Sequence, residues 1–124
     1  ILIVDDEEKI REVIREYAEF SGYAAEEAAD GMSAIGMVKL NDYDLIIMDI
    51  MMPEMDGMEV LDRFASIGVD AAVIMISGHG DIDTAVECIK KGAFDFIQKA
   101  TKENFPVGRY ELDGKMLKTV LDCK

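Results

Sequence analysis

Five polar residues in this sequence follow short apolar runs that lie far apart along the chain. Ile1 to Val4 runs into Asp5-Asp6-Glu7-Glu8, Leu45 to Met48 into Asp49, and Val73 to Ile76 into Ser77-Gly78-His79-Gly80. Ala93 to Ile97 leads to Lys99. Brought together, these ends supply three carboxylates, a hydroxyl and an ammonium. Carboxylates packed closely repel, so either some protonate or a cation joins them. Oxygen-only ligands favour a hard ion, and a partly hydrated pocket with few carboxylates suits Mg2+. A Mg2+ with an open position can stabilise a phosphoryl group, with Ser77 and Lys99 holding the remaining oxygens. A carboxylate at the same place can also be the nucleophile, giving an aspartyl phosphate.

Each residue also has a plainer reading. Asp5 and Asp6 could cap the next helix and favour its dipole. Ser77 alone reads as a turn or cap residue, and Lys99 alone as a solvated lysine. Asp49 resists such a reading, because an acid behind a wholly apolar run is costly without a partner. The combination at four strand ends is what makes the signal specific. His79, the only histidine, reads as a loop residue in a Gly-flanked turn. The nine methionines include Met48, Met51, Met52, Met55 and Met58. Their thioethers could bind Cu(I), but core filling accounts for them better. Cys88 reads as a partly buried, unreactive thiol.

The elements that must position these residues are legible in the periodicity. Ile10, Val13, Ile14, Tyr17 and Ala18 step at helical spacing after the first run. Tyr23 to Ala29 reads as a weak second strand, and Gly31 to Asn41 as a short helix weakened by Gly36. Leu45 to Met48 is the third strand, and Val60, Leu61, Phe64 and Ala65 mark the third helix. Val73 to Ile76 is the fourth strand. Ile82, Ala85, Val86 and Ile89 mark the fourth helix, with Asp81 as N-cap. Ala93 to Ile97 is the fifth strand. Strands 1, 3 and 4 are apolar throughout rather than alternating, as in a parallel sheet covered on both faces. Strand and helix in alternation predict an α/β doubly wound domain. Right-handed crossovers then put every strand's C-terminal end on one edge of the sheet, where such folds place their ligands.

The 124 residues are one domain's worth, and half are apolar, which excludes a disordered tail or a disulfide miniprotein. The formal charge of −13 repels phosphate backbones and anionic headgroups, so this segment is expected to bind neither nucleic acid nor membrane. Cys88 and Cys123 form no CxxC, which points to a reducing, cytoplasmic setting. No apolar run approaches the roughly 20 residues that cross a bilayer. The chain starts inside an apolar run without an initiator methionine, which suggests residues upstream. Its end reads as a cut before a further domain.

ILIVDDEE, YDLIIMDIMMPEMDG and VIMISGHGDIDTAVECIKKGAFDFIQK occur in an order and at a spacing that resemble the receiver domain of bacterial two-component response regulators. The stretch around SGHG looks closest to receivers of enhancer-binding transcription activators. The likeness covers about residues 1–99 of a single domain spanning 1–124. It implies a flavodoxin-like five-stranded parallel sheet in the order 2-1-3-4-5 with helices on both faces. It also implies that Asp49 is the phosphoacceptor, supplied by a sensor histidine kinase. Asp6 would ligate Mg2+ directly, with Asp5 acting through water or as an alternative ligand. The backbone carbonyl of Met51 would be a further ligand, and Pro53 and Gly57 would shape the loop after Asp49. Ser77 and Lys99 would contact the phosphoryl group, and Phe96 would be an aromatic switch. Phosphorylation would then change a surface near helix 4 and strand 5, through which relatives dimerise or release a C-terminal effector domain. Such a domain is a regulatory switch, not an enzyme; its chemistry is limited to taking up and slowly hydrolysing its own phosphoryl group.

Two departures stand out. The family usually has a cis proline after the lysine, where this chain has Ala100; a non-proline cis bond costs about 3 kcal/mol. Pro106, Gly108 and Gly114 interrupt the expected fifth helix, so residues 100–124 read as an irregular or displaced last helix. Such a segment could exchange between protomers. These departures favour one rival, an interaction module that signals without Asp49 chemistry. A second rival, an aspartate-nucleophile phosphatase, normally has another aspartate two residues on, where this chain has Met51.

Overall fold

The computed structural model describes residues 1–77 and 82–98. Lys99, Ala100, His79, Asp81, Cys123 and the expected last helix lie outside the described residues.

Strands and helices alternate along the chain. They are β1 (Leu2–Val4), α1 (Glu8–Phe20), β2 (Glu26–Ala28), α2 (Gly31–Leu40), β3 (Leu45–Asp49), α3 (Gly57–Ile67), β4 (Ala72–Ser77), α4 (Ile82–Lys90) and β5 (Asp95–Gln98). The five strands form one parallel sheet in the order β2-β1-β3-β4-β5. The expected strand order is therefore the observed one. Every residue of β1, β3 and β4 is buried, the consequence of helices covering both faces.

Alternate residues of the central strands point into two separate cores. Ile3, Leu45, Ile47, Ile74 and Ile76 pack with Ile14 and Ala18 of α1. Leu2, Val4, Ile46, Met48, Val73 and Met75 pack with Ala34 and Ile35 of α2, with Val60, Leu61 and Phe64 of α3, and with Cys88 of α4. The helices begin where local chemistry allows. The Asp30 carboxylate accepts the Ser33 N–H at 2.7 Å to start α2, and the Asp56 carboxylate accepts the Glu59 N–H at 2.9 Å to start α3.

The structure moves several sequence-derived boundaries. β2 is only three residues long, because Glu26 and Glu27 leave Ala28 as its sole fully buried side chain. β3 extends to include Asp49, and β4 to include Ser77. The apolar spacing of Ile82, Ala85, Val86 and Ile89 marked α4 correctly, but not the face it buries. Val86 and Ile89 are 45% and 50% exposed, whereas Cys88 is fully buried. Cys88, expected to be partly buried, packs against Met58 with its Sγ 3.8 Å from the Met58 Sδ. Burial raises its thiol above the ordinary range.

Candidate functional site

The carboxyl ends of β1 and β3 are neighbours, because Val4 pairs with Met48. The next residue on each strand is an aspartate. Asp5 is 0% exposed and Asp49 2%. Asp5 donates its backbone N–H to the Ala28 carbonyl at 3.2 Å, so β2 holds its main chain. Its Oδ1 accepts the Glu7 N–H at 2.9 Å. The helix itself begins later, with Glu7 at the N-cap position and no side-chain cap. Asp5 and Asp6 therefore do not occupy the N-cap, and the plainer reading of that pair loses its main support.

Asp49 is the last residue of β3, and beyond it the chain must turn sharply. Ile50 donates to the Ile76 carbonyl at 3.0 Å, continuing the ladder to β4. Asp49 Oδ1 accepts the Met51 N–H at 3.2 Å, which points the carboxylate back over its own loop. The loop closes when Met55 donates to the Pro53 carbonyl at 2.8 Å across Glu54, whose φ is +69°. A non-glycine residue in that left-handed region stores on the order of 1 kcal/mol or more. The return is sealed by Gly57, which donates to the Ile50 carbonyl at 2.8 Å. A Cβ at Gly57 would sit 2.3 Å from the Asp49 carbonyl oxygen, so only glycine allows this approach.

The result is a compact acidic site. One carboxylate oxygen from each of Asp5, Asp6 and Asp49 lies within 4.8 Å of the others, with Asp5 and Asp49 buried and Asp6 exposed. At that spacing, two full charges repel by about 3 kcal/mol for an effective dielectric of 20. An all-oxygen set with one exposed member fits a hard divalent cation that keeps part of its water shell. Ser77 ends β4 on the neighbouring strand, one residue past the Asp49–Ile76 pair, and is 2% exposed. Phe96 lies on β5 opposite Met75 and packs, half-buried, against the core shared with α2, α3 and α4. The Met51 side chain is 61% exposed at the lip of the site. Lys99, the fifth residue predicted for the site, lies outside the described residues. A cavity of about 470 Å³ opens at the opposite edge of the sheet, lined by Asn41, Asp42, Tyr43, Asp44 and Asp70, well away from the carboxylates.

The response regulator receiver domain profile matches residues 1–105. The chain belongs to that family. Its relatives agree. Over 101 residues it is 43% identical to the nitrogen assimilation regulatory protein NtrX of Azorhizobium caulinodans, covering 80% of this chain and 22% of NtrX. Over 99 residues it is 34% identical to the response regulator MprA of Mycobacterium sp. strain KMS, covering 80% of this chain and 43% of MprA. The chain thus spans less than half of either relative. Among solved structures, a chain of the CheX–CheY–BeF3–Mg2+ complex from Borrelia burgdorferi superposes with a TM-score of 0.80 at 30% identity. That match covers 98% of this chain and 85% of the other. This is a response regulator receiver domain of two-component systems. Among the described residues, no helix is long and apolar enough to cross a membrane.

Sequence reasoning missed two contributors to this receiver's site. The left-handed backbone at Glu54 carries no residue-type signal, since glycine or asparagine is the usual occupant. Arg11 donates from Nη1 to the Asp5 carbonyl at 2.8 Å. Nothing in the sequence distinguishes it from a solvated arginine on α1.

Proposed function

We propose that this receiver domain takes a phosphoryl group from the phosphohistidine of a sensor kinase onto Asp49, and that Asp5, Asp6, Asp49 and the Met51 carbonyl hold Mg2+ for that transfer. The observation that carries the reading is the convergence of three carboxylate oxygens within 4.8 Å on two adjacent strand ends. Bound Mg2+ would offset charge on the phosphoryl oxygens in transfer. An Asp49 oxygen attacks phosphorus, and the P–N bond to the histidine breaks. The departing imidazole keeps the electron pair and takes up a proton. Ser77, on the adjacent strand, would donate its hydroxyl to a phosphoryl oxygen, and Lys99 would pair with the group's charge.

The added charge would then draw on Ser77 and bias the α4 region and Phe96. Val86, Ile89 and Phe94 expose 45–50% of their surface along α4 and the turn before β5, apolar surface suited to a switched contact. Lys91, just past α4, binds Asp62 of α3 through both carboxylate oxygens at 2.9 and 3.0 Å, which tethers that end of the helix. Relatives longer than this chain support the rest of the reading: residues 1–124 would form one receiver domain, with an effector beyond it and transcription as its output. A homodimer through the α4 surface, a cytoplasmic location, and no direct contact with nucleic acid or membrane complete the reading.

The test is intact-protein mass after incubation with a small phosphodonor, with and without Mg2+, beside Asp49→Asn. One added phosphoryl group that requires both Mg2+ and Asp49 is expected. A folded protein that gains none, and that also fails to bind beryllofluoride, refutes phosphoacceptor chemistry and leaves the phosphorylation-independent interaction module.

A further inference from the structure

The three carboxylates of the site repel, yet their main chain converges, so something must hold the turn after β1. Arg11 sits in the first turn of α1, and its side chain is only 14% exposed. Its Nη1 donates to the Asp5 carbonyl at 2.8 Å, and its Nε donates to Glu27 Oε1 at 3.0 Å. Glu27 lies on β2, in register with Ile3. Its second oxygen accepts Arg15 Nη1 at 2.8 Å, and Arg15 also reaches Glu19 at 3.2 Å. The guanidinium is therefore fixed at both ends. One arm is on the edge strand; the other is on the peptide that joins Asp5 to Asp6.

That peptide decides where the two carboxylates point. Its carbonyl is the Asp5 oxygen, and its nitrogen belongs to Asp6. With the Asp5 N–H already held by Ala28, the Arg11 bond fixes the peptide plane from the other side. We infer that Arg11, locked by Glu27, is a positioning residue that presets the Asp5–Asp6 turn for Mg2+. The inference rests on the Mg2+ reading proposed above.

Charge alone predicts the opposite sign, which makes the inference testable. A guanidinium bonded to the backbone of the site repels a second cation, so removing it should tighten Mg2+ binding if electrostatics were its whole role. If Arg11 positions the turn, removing it weakens binding although a positive charge is lost. Losing a partner that orients a metal ligand typically costs about tenfold or more in metal affinity.

The experiment is calorimetric titration of the chain with MgCl2. Wild type is measured first. No Mg2+ binding there overturns the Mg2+ reading and this inference with it, before any variant is made. Given binding, Arg11→Gln is expected to weaken the Mg2+ Kd by about tenfold. Phosphoryl uptake should recover when Mg2+ is raised to saturation. Arg11→Lys keeps the charge but loses the rigid fork, and is expected to follow Gln. Arg15→Gln leaves both Arg11 bonds in place and is expected to stay within about twofold. Should Arg11→Gln fail to fold, Arg11→Lys and Glu27→Gln carry the test, both expected weaker than wild type. An unchanged or tighter Kd in the folded Arg11 variants, with wild type binding normally, overturns the positioning role and leaves the Mg2+ reading standing.

Discussion

Adding one methyl group at two different glycines of this domain should move stability in opposite directions. At Gly57 a new Cβ would lie 2.3 Å from the Asp49 carbonyl oxygen, 2.8 Å from Ile50 Cα and 3.0 Å from the Asp49 carbonyl carbon. Ordinary carbon–oxygen contacts are about 3.3 Å or longer, so α3 or the strand end must retreat by about 1 Å. The atoms struck are backbone, held by the ladder to β4, and cannot swing aside. Such overpacking costs about 1–3 kcal/mol. The same shift stretches the Gly57 N–H bond to Ile50, worth about 1 kcal/mol. Alanine returns about 0.5–1 kcal/mol through the stiffer unfolded chain. The net loss is about 2 kcal/mol. At Gly36, in the middle of α2, a Cβ meets nothing within 4 Å. There alanine should add close to the full helix-propensity difference, about 1 kcal/mol. With a urea slope of about 1.5 kcal/mol per molar for a domain of this size, the midpoint should fall by about 1.3 M for Gly57→Ala. On the same slope it should rise by about 0.7 M for Gly36→Ala. Urea unfolding followed by circular dichroism reads both. Phosphoryl uptake should drop only in Gly57→Ala, because only that change displaces the Asp49 backbone. A Gly57→Ala midpoint at the wild-type value, or a Gly36→Ala midpoint below it, would refute the steric reasoning.

Two further outcomes follow from the packing and charge of the domain. Phe64, 2% exposed beneath α3, should cost about 3–5 kcal/mol when truncated to alanine; Phe94, 46% exposed, should cost under about 1 kcal/mol, and equal losses in thermal unfolding would contradict the core assignment. The Arg15 hydrogen bond, followed by that of Arg11, holds the Glu27 carboxyl below the usual carboxylate range. A depressed folded-state pKa stabilises above the unfolded value and is lost as pH falls through the folded one. Wild type should therefore lose stability on acidification through and below the ordinary carboxylate range more steeply than Glu27→Gln, and matching acid slopes in urea midpoints would count against the Arg–Glu network.

Much of the architecture could be read in one dimension because its causes are local or repeat along the chain. Continuous aliphatic runs at β1, β3 and β4 announced strands covered on both faces, and all three are buried throughout. The helical spacing of Ile14 with Ala18, and of Val60 with Leu61 and Phe64, marked the faces that now fill the two cores. The rule that parallel strands share a carboxyl edge foretold that Asp5, Asp6 and Asp49 meet, and their oxygens do meet. In α4 the spacing of Val86 and Ile89 marked the helix but not its packed face, where Cys88 is buried while Val86 and Ile89 stay half-exposed.

The type and order of the acidic residues were set by the sequence alone, since a strand's end and the residue that follows it are neighbours in the chain. Only the tertiary structure decided what holds them in place. The left-handed turn at Glu54 and the 2.3 Å approach forbidden to any side chain at Gly57 fold the loop after β3 back on itself, and the bridge from Glu27 through Arg11 to the Asp5 carbonyl ties β2 and α1 to the end of β1. Their physical basis is contact between backbones and across strands, which residue spacing along one chain does not encode.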